Sequence, residues 1–228
     1  KSYSERNPAE TGHLVLPLDV TDYDALPAAV ETVKTRCGRI DVLINNAGIG
    51  QRSLCVDTAM DVYRRLMDVD VLGQIALTRE VLPLMIEHGS GQVAVTASVA
   101  GKVGVPYRTG YCAAKHAMMG FFDALRGEVA QHGISVHTIV PGYIRTNISV
   151  SALQGDGSEM GYMDKAIAGG MDADACAEVV IKGLGRGKPE IPVGKGTEMH
   201  ALWLKRLAPG LIFKWTAKMV RKPEKASE

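Results

Sequence analysis

The amino-acid sequence predicts a single α/β domain built on an open, doubly wound parallel sheet, in three layers with helices on both faces. Two observations carry that prediction. Short apolar runs alternate along the chain with longer segments of helical spacing, which is the signature of strand–helix–strand units. Three of those runs also give out into small or polar residues, at Asp19, at Asn45-Asn46-Ala47-Gly48 and at Ser98. Open parallel sheets bind their ligands outside such strand ends.

The first run, HLVLPLDV at 13–20, follows Gly12 and reads as a buried strand, with a helix expected over 23–37. Gly38 and Arg39 then lead into IDVLINNAG, a second strand. A polar loop precedes a long helix over 60–87, where Val62, Leu66, Val69, Leu72, Gly73, Ala76 and Leu77 recur near helical spacing. Gly89 and Gly91 break it. The strand QVAVTA follows, then the Ser98 loop, then a helix from Tyr111 that stops around His132 and Gly133. ISVHTIV is a β-branched run closed by PGYIRT. Parallel strands of this kind need right-handed crossovers and cover on both faces. Beyond Thr146 the pattern loosens into glycine and methionine, so 147–171 is expected to be a mobile substrate loop. A helix over 172–183 and a short strand over 190–193 complete a catalytic domain of residues 1–198, followed by a C-terminal amphipathic extension, 199–228.

With 228 residues, 46% of them hydrophobic and 22% charged, the chain can bury one sizeable core. A formal net charge of +1 gives no reason to expect nucleic acid. Cys37, Cys55, Cys112 and Cys176 are scattered without metal-ligand or disulfide spacing, and no histidine pairs with a second ligand. They read as reduced thiols of a cytoplasmic protein, with no metal. The extension holds Trp203 and Trp215 among leucines and basic residues, with Pro209-Gly210 interrupting it. Such a segment can cover its own substrate pocket, pair with a second subunit, or lie peripherally on a membrane surface.

The chemistry concentrates between Ser98 and Lys115. Tyr111 and Lys115 are four apart, so on a helix they stack on one face. An ammonium beside a phenol favours the phenolate and makes the phenol a usable acid and base near neutral pH. Ser98 Oγ could hold a carbonyl or alcohol oxygen while Tyr111 moves the proton. Taken alone Tyr-x-x-x-Lys is common by chance, and the bland alternative is a buried aromatic beside a solvated lysine.

Order and spacing sharpen the pattern. Asp19 after a strand, Asn45-Asn46-Ala47-Gly48, Ser98, Tyr111-x-x-x-Lys115 and Pro141-Gly142 with Thr146 together resemble the short-chain dehydrogenase/reductase family over about 14–193. Two segments, GQRSLCVDTAMDVYRRLMDVDVLG and GYCAAKHAMMGFF, look like the family's member 7 subgroup, similar to carbonyl reductases and to steroid or retinoid dehydrogenases preferring NADP(H). The resemblance implies a Rossmann-type fold with Tyr111 as proton donor and acceptor, Lys115 supporting it and binding the nicotinamide ribose, and Ser98 fixing the substrate oxygen. It also implies cofactor contacts at Asp19, Val20, Asn46, Ala47, Gly48, Pro141, Gly142, Ile144 and Thr146. Tyr107 and Tyr143 would wall the substrate pocket. NADP(H) is favoured and NAD(H) is the other candidate, and relatives pair through the two long helices into dimers or tetramers.

Two departures stand out. The family's glycine-rich turn, T-G-x-x-x-G-x-G, is nowhere in this chain, although it lets backbone approach the pyrophosphate. The chain opens at Lys1 without an initiator methionine. The natural protein is therefore expected to carry roughly 50 further residues upstream, about one to two βα units. Secondly, Asp70 stands where the family has a helix-borne asparagine that helps hold a water in a proton relay. Near Lys115 its charge would favour the ammonium, and near Tyr111 it would oppose the phenolate. A pH-shifted enzyme is the expectation.

The reading that results is an NAD(P)(H)-dependent oxidoreductase interconverting a carbonyl and a secondary alcohol. Met160, Met163, Met171 and the aromatic extension suggest a bulky, mostly apolar small-molecule substrate such as a steroid, retinoid or quinone. The competing reading is a catalytically weak dinucleotide-binding regulator or scaffold on the same fold, for which Asp70 is the support.

Overall fold

The computed structural model describes residues 13–220. Four strands form one sheet in the order β1-β2-β3-β4, all neighbours parallel: β1 (Val42–Asn45), β2 (Gly91–Thr96), β3 (Ile134–Pro141) and β4 (Glu190–Val193). Parallel neighbours require crossovers. Those are α2 (Met60–Met67) running on into α3 (Gly73–His88), α4 (Thr109–Val129) and α6 (Ala173–Gly185), while α1 (Leu26–Cys37) precedes β1 and the short α5 (Lys165–Ala168) lies in the loop before α6.

Side-chain alternation along β2 divides the core into two layers. Val93 and Val95 point to one face, where they meet Ala114, Met118, Phe122, Leu125 and Val129 of α4, spaced to form one helix face, together with Val81 and Met85 of α3. Ala94 points to the other face with Ile139, Ile191, Val193 and Leu184 of α6. Each fully buried side chain of this size contributes about 1.5–3 kcal/mol, so α4, with Met118 and Phe122 wholly buried, is firmly docked on the sheet.

Two elements differ from expectation. Residues 14–20 do not join the sheet, and Leu14 and Val15 are 42% and 41% exposed. An apolar run becomes a strand only beside a neighbour that can accept its ladder, and among the described residues none lies there. The long helix over 60–87 is interrupted by a π-helical turn, Asp68–Leu72. Its wider pitch rotates the inward face, so that Asp70 and Val71 are buried and Leu72, expected on the apolar face, is exposed. The 147–171 segment, expected as the substrate loop, packs on the body. Leu153 bridges both Gln51 and Glu159 and packs against Val62 and Leu66.

The C-terminal extension forms two helices, α7 (His200–Leu207) and α8 (Pro209–Ala217), broken at Ala208 because proline starts the second. Ala201 and Ile212 are buried with Val99, Val103, Met119 and Val140, which seats the pair over the carboxyl ends of β2 and β3. Among the described residues no helix is long and apolar enough to cross a membrane.

Candidate active site

Beyond Thr96 the chain leaves β2, and Ser98 caps a single turn, Val99–Gly101, its Oγ accepting from Ala100 N at 3.1 Å and donating to Pro141 O at 3.5 Å. Gly101 then meets α4 at close range: a Cβ there would lie 2.7 Å from the Lys115 carbonyl oxygen. The absence of a side chain lets the Ser98 turn rest directly on the helix that carries Tyr111 and Lys115.

The start of α4 is held by a residue that sequence reasoning missed. Gln51, wholly buried, accepts from Gly110 N at 2.7 Å and Tyr111 N at 3.3 Å through Oε1, and its amide donates to Ser53 and Thr58. Helix N-termini leave backbone donors without partners. Here the acceptor comes from a distant loop, and no short-range capping pattern announces it.

Lys115 is 4% exposed. Its Nζ donates to Thr96 O at 3.1 Å, stands 5.6 Å from the centroid of the Tyr111 ring, and lies 3.3 Å from Asp70 Oδ2. Asp70 Oδ1 accepts from Ile49 N at 2.7 Å, while Oδ2 has no aligned hydrogen-bond donor. Burial pushes the Asp70 carboxyl above its ordinary value, and the Lys115 ammonium and the Ile49 N–H act against that push. The π-helical turn is what brings Asp70 to the lysine.

These groups open on a cavity of about 730 Å³. Of the residues expected at the site, Ser98, Tyr111, Lys115, Asn46 and Gly48 line it, and so do Pro141, Gly142, Tyr143, Ile144 and Thr146. The turn carrying the last group is fixed by Gly142 N donating to Val193 O and by Tyr143 N donating to Glu198 Oε1. Ala47 lies just behind the wall, its carbonyl accepting from Gln74. Asp19 and Val20 do not reach the cavity. Thr21 donates to Asp19 from both its amide and its hydroxyl, which holds that carboxyl below its usual range, and Val20 packs against Gly73.

Tyr107, expected as a pocket wall, is not among the lining residues; it sits at φ 65, a strained conformation for an aromatic residue, with its carbonyl accepting from Ser53 N. His116, expected outside the site, binds the Cys112 carbonyl through Nδ1. Residues not foreseen in the wall include Arg52, Arg108 and Glu198, while Trp215 of the C-terminal extension also lines it. Among the described residues no group of three or more His, Cys, Asp or Glu is arranged to hold a metal ion.

Fold and site together define a class: an open parallel α/β sheet that presents a serine, a tyrosine and a lysine around one cavity at the carboxyl ends of its strands. The chain belongs to the short chain dehydrogenase family, whose sequence model matches residues 3–156. It is 41% identical over 208 residues to the Bos taurus protein called Dehydrogenase/reductase SDR family member 7B, covering 91% of this chain and 64% of the bovine one. The chain thus spans somewhat less than two thirds of that relative. Among solved structures it is similar to a short-chain dehydrogenase from Streptomyces avermitilis, with a TM-score of 0.72 and 28% identity over 90% of this chain and 79% of the other. It is also similar to a gluconate 5-dehydrogenase from Burkholderia cenocepacia solved with NADP and tartrate, with a TM-score of 0.56 and 30% identity, covering 58% of this chain and 52% of that one.

Proposed function

We propose that the protein is an NAD(P)(H)-dependent oxidoreductase that interconverts a carbonyl and a secondary alcohol on a bulky, largely apolar substrate. The observation that carries this reading is the convergence of Ser98, Tyr111 and Lys115 on one cavity, with Lys115 Nζ 5.6 Å from the Tyr111 ring centroid. The residues present fit the nicotinamide end of a dinucleotide. The Pro141-Gly142 turn, Asn46 and Thr146 line one wall, and Gly48 leaves room that a Cβ would take from Asp70 and Lys115, each 3.3 Å away. The NADP in the Burkholderia relative supports that cofactor class, with NADP(H) favoured over NAD(H) by the subgroup resemblance. No glycine-rich T-G-x-x-x-G-x-G turn occurs in these 228 residues.

A bound nicotinamide supplies the hydride in reduction and takes it in oxidation. The protein holds the substrate and handles the proton. Ser98 Oγ donates a hydrogen bond to the carbonyl oxygen and orients it. Tyr111 then gives its hydroxyl proton to that oxygen, and the Lys115 ammonium compensates the phenolate left behind. Asp70, behind Lys115, sets the position of the ammonium. In oxidation the same groups act in reverse. Val99, Val103, Ile139, Ile148 and Trp215 give the cavity an apolar wall suited to a hydrocarbon body.

Tyr111→Phe removes the proton donor without removing the ring. Turnover of NADPH or NADH against steroid ketones, retinal, quinones and aldehydes should fall by about 10²-fold or more. Full activity in the variant would overturn the mechanism. The regulator reading draws on one observation, the ion pair that ties Lys115 to Asp70. Dinucleotide binding with no turnover in the unmutated protein would favour it. We further propose a homodimer or homotetramer paired through the long helices, in the cytoplasm, with the exposed face of α7 and α8 placing it peripherally on a membrane.

A further inference from the structure

We propose that the substrate carries one oxyanion, a carboxylate or a phosphate monoester, and that Arg52 and Arg108 bind it. Both arginines line the cavity that Tyr111 lines, and their side chains are only 16% and 14% exposed. They share a single carboxylate. Asp164 Oδ2 lies 3.5 Å from Arg52 Nε and 3.7 Å from Arg108 Nη2, beyond good hydrogen-bond length in both cases. Its other oxygen already accepts from Ala166 N at 2.8 Å. Among the described residues nothing accepts a hydrogen bond from Arg52 Nε, which is buried, and Arg52 Nη1 donates only to the Gln51 carbonyl. Arg108 stands 6.0 Å from the Tyr143 ring centroid.

Two guanidinium groups against one carboxylate leave a surplus positive charge in a wall that is otherwise mostly hydrocarbon. Elsewhere in the cavity Lys115 is paired with Asp70, and the Glu198 carboxylate, which forms no ion pair among the described residues, accepts from Tyr143 N. Desolvation and the neighbouring Arg108 both disfavour the Arg52 cation, so an incoming anion relieves a standing penalty. The Arg108 guanidinium can offer parallel N–H groups to an oxyanion with two oxygens presented side by side, and Arg52 adds positive charge in the same wall. Arg52 and Tyr111 line the same cavity, which puts the anion and the reacting oxygen in one substrate-sized space. The hydrocarbon body and the carbonyl are those of the proposed function, on which this inference rests; the oxyanion is the addition.

The same three residues could instead serve only to latch the 147–171 segment, which contains Asp164, over the cavity. Non-reacting probes separate the two. Decanoate, decyl phosphate and methyl decanoate, below their micelle concentrations, are titrated into the protein by calorimetry. At least one anion should bind about tenfold or more tightly than the ester, the scale of one charge-assisted hydrogen bond, and the two anions tell carboxylate from phosphate. Arg108→Gln should remove that preference, bringing anion affinity down to that of the ester. Asp164→Asn, which adds to the surplus charge, should tighten the anion, whereas a mere latch would weaken all three probes together. Equal affinity for ester and both anions in the unmutated protein overturns the proposal even if a variant does not fold. Turnover of 3-oxodecanoate against its methyl ester then isolates the parent reading. Equal rates sink the anion site alone, and anion-selective binding with no turnover sinks the oxidoreductase alone.

Discussion

Asp70 is the residue whose surroundings suit its charge least. It is wholly buried, has one backbone donor, and faces Lys115 at 3.3 Å. Because burial raises its folded value above the ordinary 3.8, the folded state holds this proton more tightly than the unfolded chain does. Stability therefore falls as pH rises from the ordinary carboxylate range to the raised folded value, and Asp70 gives its best contribution below that window. Asp70→Asn abolishes this slope, so thermal unfolding followed against pH should be flatter in the variant across that window. The substitution also leaves Lys115 without its counter-charge, so that its ammonium keeps the Thr96 carbonyl as its hydrogen-bond acceptor. The pH–rate profile should move as well; an unchanged profile would remove Asp70 from the proton path. Serine, tyrosine and lysine were legible at this scale because their spacing is fixed by one turn of helix and one strand end. Gln51, Arg52, Arg108 and Asp164 were not, because the fold joins them across loops that no local pattern links.

Elements were legible wherever burial and periodicity agreed, as in α4, whose inward residues follow helical spacing, and in β2 and β3. They were misread where the backbone breaks its own period. The π-helical turn at Asp68–Leu72 shifts the face by one residue, which a search for regular spacing averages away. At 14–20 the composition of a strand is present, but among the described residues the ladder that would make it one is not. Two substitutions test how the elements hold the site. Gln51→Ala leaves two N–H groups at the start of α4 without their acceptor, costing about 1–3 kcal/mol for each buried group left unpaired. Chemical denaturation should show that loss, with a fall in turnover because Tyr111 opens the same helix. Gly101→Ala places a Cβ 2.7 Å from the Lys115 carbonyl, and such overpacking costs about 1–3 kcal/mol. Its turnover should fall through displacement of Ser98. Wild-type activity with reduced stability would mean that the Ser98 turn absorbs the shift elsewhere.

At the scale of the whole molecule, the sheet and α4 supply a rigid floor, and the last two helices supply a roof with two unlike faces. Ala201 and Ile212 face inward, and Trp215 and Met219 reach the cavity wall. On the outside Trp203, Leu207, Leu211 and Phe213 are 69%, 78%, 58% and 56% exposed. Lys205, Arg206, Lys214 and Lys218 lie among them, Lys205 Nζ standing 4.1 Å from the Phe213 ring centroid, and no acidic residue occurs from His200 to Val220. Tryptophan, hydrocarbon and unopposed positive charge on a short helical pair match the interfacial zone of an anionic bilayer, where apolar side chains bury and basic ones meet headgroups. The protein should therefore sediment with phosphatidylserine vesicles and far less with phosphatidylcholine vesicles. Because screening shortens to about 3 Å at 1 M salt, high salt should release most of it. Lys205→Glu with Lys214→Glu should release it at low salt, and turnover of a water-soluble carbonyl should survive, since neither lysine lines the cavity. If the protein ignores both vesicle types, the exposed tryptophan face belongs to subunit pairing instead. Trp203→Glu would then lower the mass measured by light scattering, and the roof would be an interface between copies rather than a contact with lipid.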